Sequence, residues 1–265
     1  MNYSTRVIAS TAAEFLPADL TIVLPTYNER DRIAELVQAV FSACAPHGIR
    51  LEIVIVDDNS PDGTGAIADA LAGSYRIRVI HRPGKLGLGT AVIAGFDVAS
   101  ATVVGVMDAD FSHPPALVPR MLAALTATDA DLVVASRYVR GGSTPGWPLK
   151  RRLLSRAACL LARPLSPIRD AASGFFLIRR EIARGTTIKA GGFKICLELI
   201  VRGAATRLVE MPYRFDDREQ GESKMNLREA AGYLVQLRDL YRFRLAGHRS
   251  PRWQYQQLEP IAHDR

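Results

Sequence analysis

The sequence predicts an α/β fold in which a mainly parallel, twisted sheet is flanked by helices. Up to about residue 136, short apolar runs alternate with helical patterns, and this order is typical of a parallel sheet covered on both faces. With 48% hydrophobic residues among 265, the chain can also bury a large core. The five predicted strands lie at residues 20–24, 51–56, 77–80, 102–107 and 132–135.

The first predicted strand ends at Pro25, and Tyr27 and Asn28 follow it directly. Proline terminates the strand, Asn28 can cap the next helix, and Tyr27 offers a flat ring with a polar tip at the carboxyl edge of the sheet. This arrangement suits a base or a ribose, although a plain capping role for Asn28 is the alternative. Neither a GxGxxG nor a GxxxxGK[ST] motif follows this strand, so a dinucleotide fingerprint and a P-loop are excluded.

The second predicted strand ends at Asp57 and Asp58, which places two carboxylates at the same edge of the sheet. A carboxylate there can accept hydrogen bonds from a ribose or from base nitrogens, and Asp58 is the favoured ligand. The Ser-Pro-Asp-Gly sequence at 60–63 is turn chemistry, so Asp62 is expected to cap the following helix.

The run at 102–107 is aliphatic and β-branched, and it is followed immediately by Asp108 and, one residue later, Asp110. Open α/β sheets bind ligands at the carboxyl ends of their strands, and carboxylates there can hold a hard divalent cation that bridges substrate phosphates. The alternative is a polar loop after a core strand. His113 is expected to be a turn residue ahead of a helix that starts at 114–115, without a catalytic role.

Beyond residue 137, Gly- and Pro-rich turns alternate with basic helical segments. The segment 149–163 mixes five leucines with five basic residues after Trp147, and a helix of this kind either lies on an anionic membrane surface or packs one face on the core. A last helix is predicted at 227–245. Glu198 lies among apolar residues of another predicted helix, and its carboxylate is expected to be buried and paired with a partner. The tail from 247 is polar and aperiodic and is expected to be loose.

The net charge of +7 is unevenly distributed. Residues 1–136 carry 9 Lys/Arg against 15 Asp/Glu, whereas residues 137–265 carry 25 against 12. A basic half indicates an anionic partner, which composition leaves open among nucleic acid, an anionic membrane and phosphorylated substrates. Nucleic acid is disfavoured, because aromatic residues are only 7% and the acidic sheet edge would repel a phosphate backbone.

The three cysteines, Cys44, Cys159 and Cys196, are widely spaced among aliphatic residues and are expected to be reduced core residues. The N-terminus lacks the pattern of a signal peptide, and no apolar run approaches the roughly 20 residues that span a bilayer. The sequence therefore predicts a cytoplasmic protein without its own transmembrane anchor.

Taken in order, these motifs resemble the family 2 glycosyltransferases of the GT-A fold, and among them the polyprenyl-phosphate (dolichyl-phosphate) mannose synthases. The resemblance runs from about residue 20 to about residue 245. The matching pieces are PTYNE at 25–29, VDDNSPDGT at 56–64, KLGLG at 85–89, DAD at 108–110, SRY at 136–138, GG at 141–142, WP at 147–148, SGF at 173–175, GFKI at 192–195, Arg218 and GESK at 221–224.

The resemblance implies a role for each matching position. The implied nucleoside site comprises Pro25, Tyr27, Asn28, Glu29, Val56 and Asp58. The implied donor-diphosphate and catalytic residues are Asp108, Asp110, Arg218 and Lys224. The implied metal ligands for Mg²⁺ or Mn²⁺ are Asp108, Asp110 and Ser112, and the implied ligands of the acceptor phosphate are Arg137, Arg151 and Ser155. Some relatives carry glutamine where this chain has Ser112, so water is expected to complete the coordination sphere.

The resemblance also implies inverting transfer of mannose from GDP-mannose to a polyprenyl phosphate, at the cytoplasmic face of a membrane. No general base is conspicuous, and none is required, because a phosphate monoester with a second pKa of about 6 is already largely dianionic. Arg137 and Arg151 are expected to orient it through bidentate contacts. The alternatives are another donor (UDP-glucose or UDP-N-acetylglucosamine), a soluble acceptor, or a non-enzymatic anion-binding or nucleic-acid-binding module. The membrane is reached through surface helices or through an integral membrane partner.

The expected organisation is a single GT-A catalytic domain at residues 20–246. Its nucleotide-sugar-binding half covers 20–136 and its acceptor-binding half, with the basic amphipathic helices, covers 137–246. An N-terminal extension is expected at 1–19 and a loose polar tail at 247–265.

Overall fold

A computed structural model describes residues 6–9, 16–189, 194–216, 227–248 and 251–260. The described strands are β1 (Arg6–Ala9), β2 (Leu20–Thr26), β3 (Leu51–Asp57), β4 (Ile77–His81), β5 (Val103–Val106), β6 (Leu132–Ser136), β7 (Phe176–Arg179), β8 (Arg207–Pro212) and β9 (Gln254–Gln257). The described α-helices are α1 (Ile33–Cys44), α2 (Thr64–Leu71), α3 (Leu88–Val98), α4 (Leu117–Ala127), α5 (Leu149–Ala162), α6 (Arg180–Arg184), α7 (Ile195–Arg202) and α8 (Leu227–Leu245).

The described strands form one sheet in the order β1-β4-β3-β2-β5-β7-β6-β8-β9. Five of its pairs are parallel, and only β1 with β4 and β7 with its two neighbours are antiparallel. The predicted α/β class with a mainly parallel sheet is therefore confirmed. Thr26 lies opposite Asp57, and Val23 lies opposite Val106, so the carboxyl ends of β2, β3 and β5 meet at one edge.

The core lies on both faces of this sheet because neighbouring residues of a strand point to opposite sides. Ile22 of β2 and Ile53 of β3 belong to the cluster that packs on α1 and α4. Val23 and Val54, the next residues, belong to the cluster that packs on α3 and α7. A sheet covered in this way stays dry, which explains its near-continuous aliphatic strands. The three cysteines are buried and unbridged, as predicted.

Both ends of the described chain add a strand to the sheet. In the segment expected to be an extension, β1 pairs antiparallel with β4. The expectation of a loose tail is wrong for residues 254–257, since β9 pairs in parallel with β8, and Tyr255 donates a hydrogen bond to the buried Glu210 carboxylate. An edge strand is held by backbone hydrogen bonds and can expose polar side chains. The Gln-Tyr-Gln-Gln sequence of β9 therefore lacks the run of apolar residues by which the other strands were predicted.

The two basic helices differ in how they pack. On α8, Tyr233, Leu237 and Leu240 are buried against the core. On α5 only Cys159 and Ala162 are buried, and its leucines point outward. None of the helices in the described ranges combines the length and the apolar character needed to cross a membrane.

Candidate functional site

The loop after β2 forms one wall of a cleft at the carboxyl edge of the sheet. Tyr27 is partly exposed, and the Lys85 ammonium lies 4.0 Å from its ring centroid. Asn28 adopts a left-handed backbone conformation with φ of 61° and donates its N–H to Ser60 Oγ at 3.0 Å. The expected capping role of Asn28 is wrong, because α1 begins only at Ile33. The asparagine instead allows the tight turn that presents Tyr27.

The two aspartates after β3 have different partners. Asp57 accepts hydrogen bonds from Thr26 Oγ1 and from Ser60, so it supports the loops. Asp58 is buried, and its Oδ1 lies 2.9 Å from Nη1 of Arg82. Burial raises the pKa of Asp58, against the opposing charge of Arg82. Asp58 thus differs from Asp57 in pairing with an arginine, and its role as a ligand stays a prediction.

The loop after β5 carries two carboxylates and a hydroxyl. Asp110 and Ser112 are buried, and Asp110 Oδ1 accepts a hydrogen bond from the Ser112 N–H at 3.0 Å. Arg32 donates a hydrogen bond to the carbonyl oxygen of Asp110. Phe111, which lies between Asp110 and Ser112, has a φ of 63°. The Asp108 side chain is 39% exposed, so it faces the cleft.

The donor chemistry of this loop fits a hard divalent cation, since all three side chains offer oxygen. The buried Ser112 Oγ has no hydrogen-bond partner in the described part of the chain, as expected for an oxygen kept for a ligand. The described residues contain no cluster of three His, Cys, Asp or Glu side chains arranged to hold a metal. The metal set Asp108, Asp110 and Ser112 that the sequence resemblance implied stays a prediction, which the oxygen chemistry of the loop supports.

His113 has more contacts with this loop than the sequence suggested. It is buried, and its Nδ1 accepts a hydrogen bond from the Asp108 N–H at 3.0 Å. Burial lowers the pKa of His113, against the charges of Asp108 and Asp110. A turn residue would be exposed, so the sequence prediction of a plain turn misses these contacts.

On the acceptor side, Arg137 is bound to Asp170. The Arg137 backbone N–H and Nε donate to Asp170 Oδ2 at 2.9 and 2.8 Å, and Nη2 donates to Oδ1 at 2.7 Å. Burial lowers the pKa of Arg137, but the charge and hydrogen bonds of Asp170 outweigh burial and hold it above its usual range. The bidentate edge of this guanidinium is therefore occupied by Asp170, and Nη1 is the edge that remains for a phosphate.

A pocket of about 290 Å³ opens beside Arg137. Its walls include Arg152 and Arg156 as well as Tyr138 and Thr144, and none of the described residues that line it is acidic. Residues four apart share one face of a helix, so the two arginines of α5 point into the pocket together. The sequence analysis missed both, although their i, i+4 spacing was a signal that could have identified them.

Neither Arg151 nor Ser155 lines this pocket. The Arg151 guanidinium lies over Trp147, 3.9 Å from the ring centroid. Arg137 lies over the same ring, 5.3 Å from its centroid, and the Ser155 side chain interacts with Tyr138 of the pocket wall. Arg152 and Arg156 therefore line the pocket with Arg137, while Arg151 and Ser155 lie beside it and their role stays a prediction.

The two sites are close to each other. The Phe215 ring lies 6.2 Å from the His113 ring centroid, and its own centroid lies 5.6 Å from the Arg137 guanidinium carbon. The Phe215 ring thus lies beside both the carboxylate loop and the arginine pocket. Arg218 and Lys224, predicted to contact the donor phosphates, lie outside the described residues.

Comparisons with known proteins show which family the chain resembles. Residues 21–187 match the model of glycosyl transferase family 2. A dolichol-phosphate mannosyltransferase of Pyrococcus furiosus is 40% identical over 227 residues, which cover 84% of this chain but only 63% of that protein. A polyprenol monophosphomannose synthase of Mycolicibacterium smegmatis is 41% identical over 224 residues, covering 79% of this chain and 83% of the relative.

Among solved structures, a mannosyltransferase of Pyrobaculum calidifontis in complex with GDP-Man and Mn²⁺ superimposes with a TM-score of 0.60. It is 17% identical, and the match covers 94% of this chain and 70% of that one. At this identity the likeness concerns the fold.

Proposed function

The chain belongs to glycosyl transferase family 2 and has the GT-A fold, and on this premise we propose that it transfers mannose from GDP-mannose to a polyprenyl phosphate. The sugar and the lipid are proposed from relatives 35–41% identical whose names are dolichol-phosphate mannosyltransferase or polyprenol monophosphomannose synthase. The observation that carries the proposal is the carboxylate loop beside an arginine pocket. This pairing suits a nucleotide donor next to an anionic acceptor.

The donor nucleoside binds at the carboxyl edge of β2 and β3. Tyr27 offers its ring to the base, and Asp58 accepts hydrogen bonds from base or ribose donors. Val56 is buried below them in the sheet. Pro25, Asn28 and Glu29 complete the proposed wall, and Arg218 and Lys224 are proposed to close over the diphosphate.

Asp108, Asp110 and Ser112 would hold a divalent cation, Mg²⁺ or Mn²⁺. When bound, such a cation offsets the negative charge that grows on the diphosphate as it leaves. The protein's own part is to preset the loop: the Ser112 N–H fixes the Asp110 carboxylate, and Arg32 fixes the backbone. A preorganised site of this kind needs little rearrangement during the reaction.

The acceptor phosphate enters the pocket between Arg137, Arg152 and Arg156. One of its oxygens attacks the anomeric carbon as the bond from that carbon to the diphosphate oxygen breaks, which inverts the configuration to a β-linked product. No protein base is needed, because the attacking phosphate is already ionised at neutral pH. The arginines act by orienting the nucleophile at short range.

Helix α5 is proposed to meet the membrane that carries the lipid. Leu149, Leu153 and Leu160 are 57–69% exposed, and the basic residues of the helix lie among them. Exposed leucines next to basic side chains suit the surface of an anionic bilayer. We place the protein peripherally at the cytoplasmic face, where an integral membrane protein would be a further partner.

The test is transfer of radiolabel from GDP-mannose, UDP-glucose and UDP-N-acetylglucosamine, in parallel, into butanol-extractable polyprenyl phosphate with Mg²⁺ or Mn²⁺. Lipid label from GDP-mannose alone, abolished by EDTA, is the expected result. Label from another donor would correct the sugar. Conversion of the labelled donor into a new water-soluble glycoside, with no label in the lipid, would indicate a soluble acceptor and overturn the lipid assignment.

A further inference from the structure

His113 is enclosed by aromatic rings beside the carboxylate loop. Its imidazole stacks on Phe175, with ring centroids 4.8 Å apart and planes inclined by 18°. Tyr213 and Phe215 meet it edge-on at 6.0 and 6.2 Å. Only 2% of His113 is exposed. A buried ring in contact with three other rings has little freedom to rotate, so its two nitrogens point in fixed directions.

Both nitrogens of this ring lie next to Asp108. Nδ1 accepts the hydrogen bond from the Asp108 N–H at 3.0 Å, so Nδ1 itself carries no hydrogen. The ring hydrogen is then on Nε2, which lies 3.8 Å from Oδ2 of Asp108. That distance is too long for a hydrogen bond but close enough for electrostatic attraction.

The environment argues for more than packing. A phenylalanine would fill an aromatic cage without any polar atom to satisfy, whereas a buried imidazole needs partners for its nitrogens. The Asp108 N–H is the partner of Nδ1, and the Asp108 carboxylate attracts Nε2–H without a hydrogen bond. The hydrogen bond holds the Asp108 backbone and the attraction draws its carboxylate toward the ring, so the carboxylate has a preferred direction before any ligand arrives.

We propose that His113 is a positioning residue for Asp108, holding its backbone through Nδ1 and steadying its carboxylate through Nε2–H so that a divalent cation meets a carboxylate already aimed at it. The inference rests on the proposed function, in which Asp108 is a metal ligand. Partners that orient a metal ligand typically contribute about 10- to 100-fold to metal affinity.

The experiment measures Mn²⁺ affinity by electron paramagnetic resonance in the presence of GDP, for the wild type, three His113 variants and one control variant. His113→Phe keeps the stacking and removes both nitrogens, so Mn²⁺ affinity should fall by about tenfold or more. His113→Asn places an amide oxygen near the position of Nδ1 and should recover part of the loss. His113→Gln, which reaches the position of Nε2 instead, should recover less.

Phe215→Leu is the matched control, because it disturbs the same aromatic cluster without touching Asp108. It should lower the melting temperature while leaving Mn²⁺ affinity within about twofold of the wild type. GDP binding in EDTA, which does not involve the cation, should be unchanged in every variant. If His113→Phe does not fold, the order of the Asn and Gln variants decides.

Equal Mn²⁺ affinity in the wild type and the His113 variants would overturn the proposal, and so would a Gln variant that binds as well as the Asn variant. A loss in Phe215→Leu equal to that in His113→Phe would reduce His113 to a packing residue. Absence of Mn²⁺ binding by the wild type itself is a different result, since it would overturn the metal-dependent function on which the inference rests.

Discussion

Replacing Asp170 by asparagine should destabilise the protein far more than replacing an aspartate in a matching but exposed pair. The Asp170 side chain is 0% exposed and that of Arg137 is 9% exposed. The substitution keeps the shape of the side chain but leaves the Arg137 charge buried without its counter-charge. Removing one partner of a buried ion pair typically costs about 3–5 kcal/mol.

The chain contains a control with the same pattern of contacts. Asp19 accepts from the Arg50 backbone N–H, Nε and Nη2, as Asp170 does from Arg137. This second pair is 35–46% exposed, and exposed ion pairs contribute about 0–1 kcal/mol. Asp19→Asn therefore removes the same set of contacts without leaving a buried charge.

The assay is thermal unfolding at neutral pH, followed by circular dichroism. For a protein of this size, 1 kcal/mol corresponds to about 2–4 °C, so Asp170→Asn should lower the melting temperature by about 6 °C or more. Asp19→Asn should lower it by no more than about 4 °C. Similar shifts in the two variants would show that burial does not govern the Arg137 pair and would refute the reasoning.

Three further outcomes are expected. Asp110→Asn should remove most transfer activity and weaken Mn²⁺ binding; near-normal turnover would contradict the metal assignment. Arg152→Ala and Arg156→Ala should each raise the KM for polyprenyl phosphate by about tenfold and leave the KM for GDP-mannose unchanged. A tenfold change corresponds to about 1.4 kcal/mol, which is the loss expected when one charged hydrogen bond is removed. Arg151→Ala should have the smaller effect, and a larger one would place the phosphate outside the pocket. Burial opposes ionisation of Asp131, but hydrogen bonds from the Thr206 and Arg207 backbone outweigh it and lower the pKa of Asp131. The ionised Asp131 carboxylate therefore stabilises the folded protein fully above the unfolded pKa of about 3.9, and this stabilisation is lost as the pH falls through the lower folded pKa. The melting temperatures of the wild type and of Asp131→Asn should differ most at neutral pH and converge in acid.

The sequence was most informative where the signal is local. The helix 227–245 was predicted with both its ends, and β2, β3 and β5 were predicted within two residues. Hydrophobic runs and the residues that end them are properties of neighbouring positions. Parallel pairing then brings the ends of β2, β3 and β5 to one edge, so the closeness of Asp58 and Asp108 to that edge also followed from the pattern.

The acceptor side was harder to predict because its contacts join distant parts of the chain. The sequence resemblance pointed to Arg137, Arg151 and Ser155, but which arginines face the pocket depends on how α5 is rotated against its neighbours. The contact of Arg137 with Asp170 joins residues 33 positions apart, one just after β6 and the other a few residues before β7, and it depends on the antiparallel pairing of these two strands. The spacing of Arg152 and Arg156 shows that they share a face of α5. Neither the direction of that face nor a contact between residues 33 positions apart can be read from neighbouring positions in the sequence.

By itself, therefore, the sequence determined the fold class, the carboxylates at the carboxyl edge of the sheet and the basic character of the second half. The tertiary structure decided which side chains lie together: Asp170 with Arg137, the His113 ring with Asp108, and the face of α5 that carries Arg152 and Arg156 with Arg137. The physical reason is that hydrophobic periodicity and turn residues act over a few positions, whereas the partner of a buried polar group is chosen by whatever the packed sheet brings within about 3 Å.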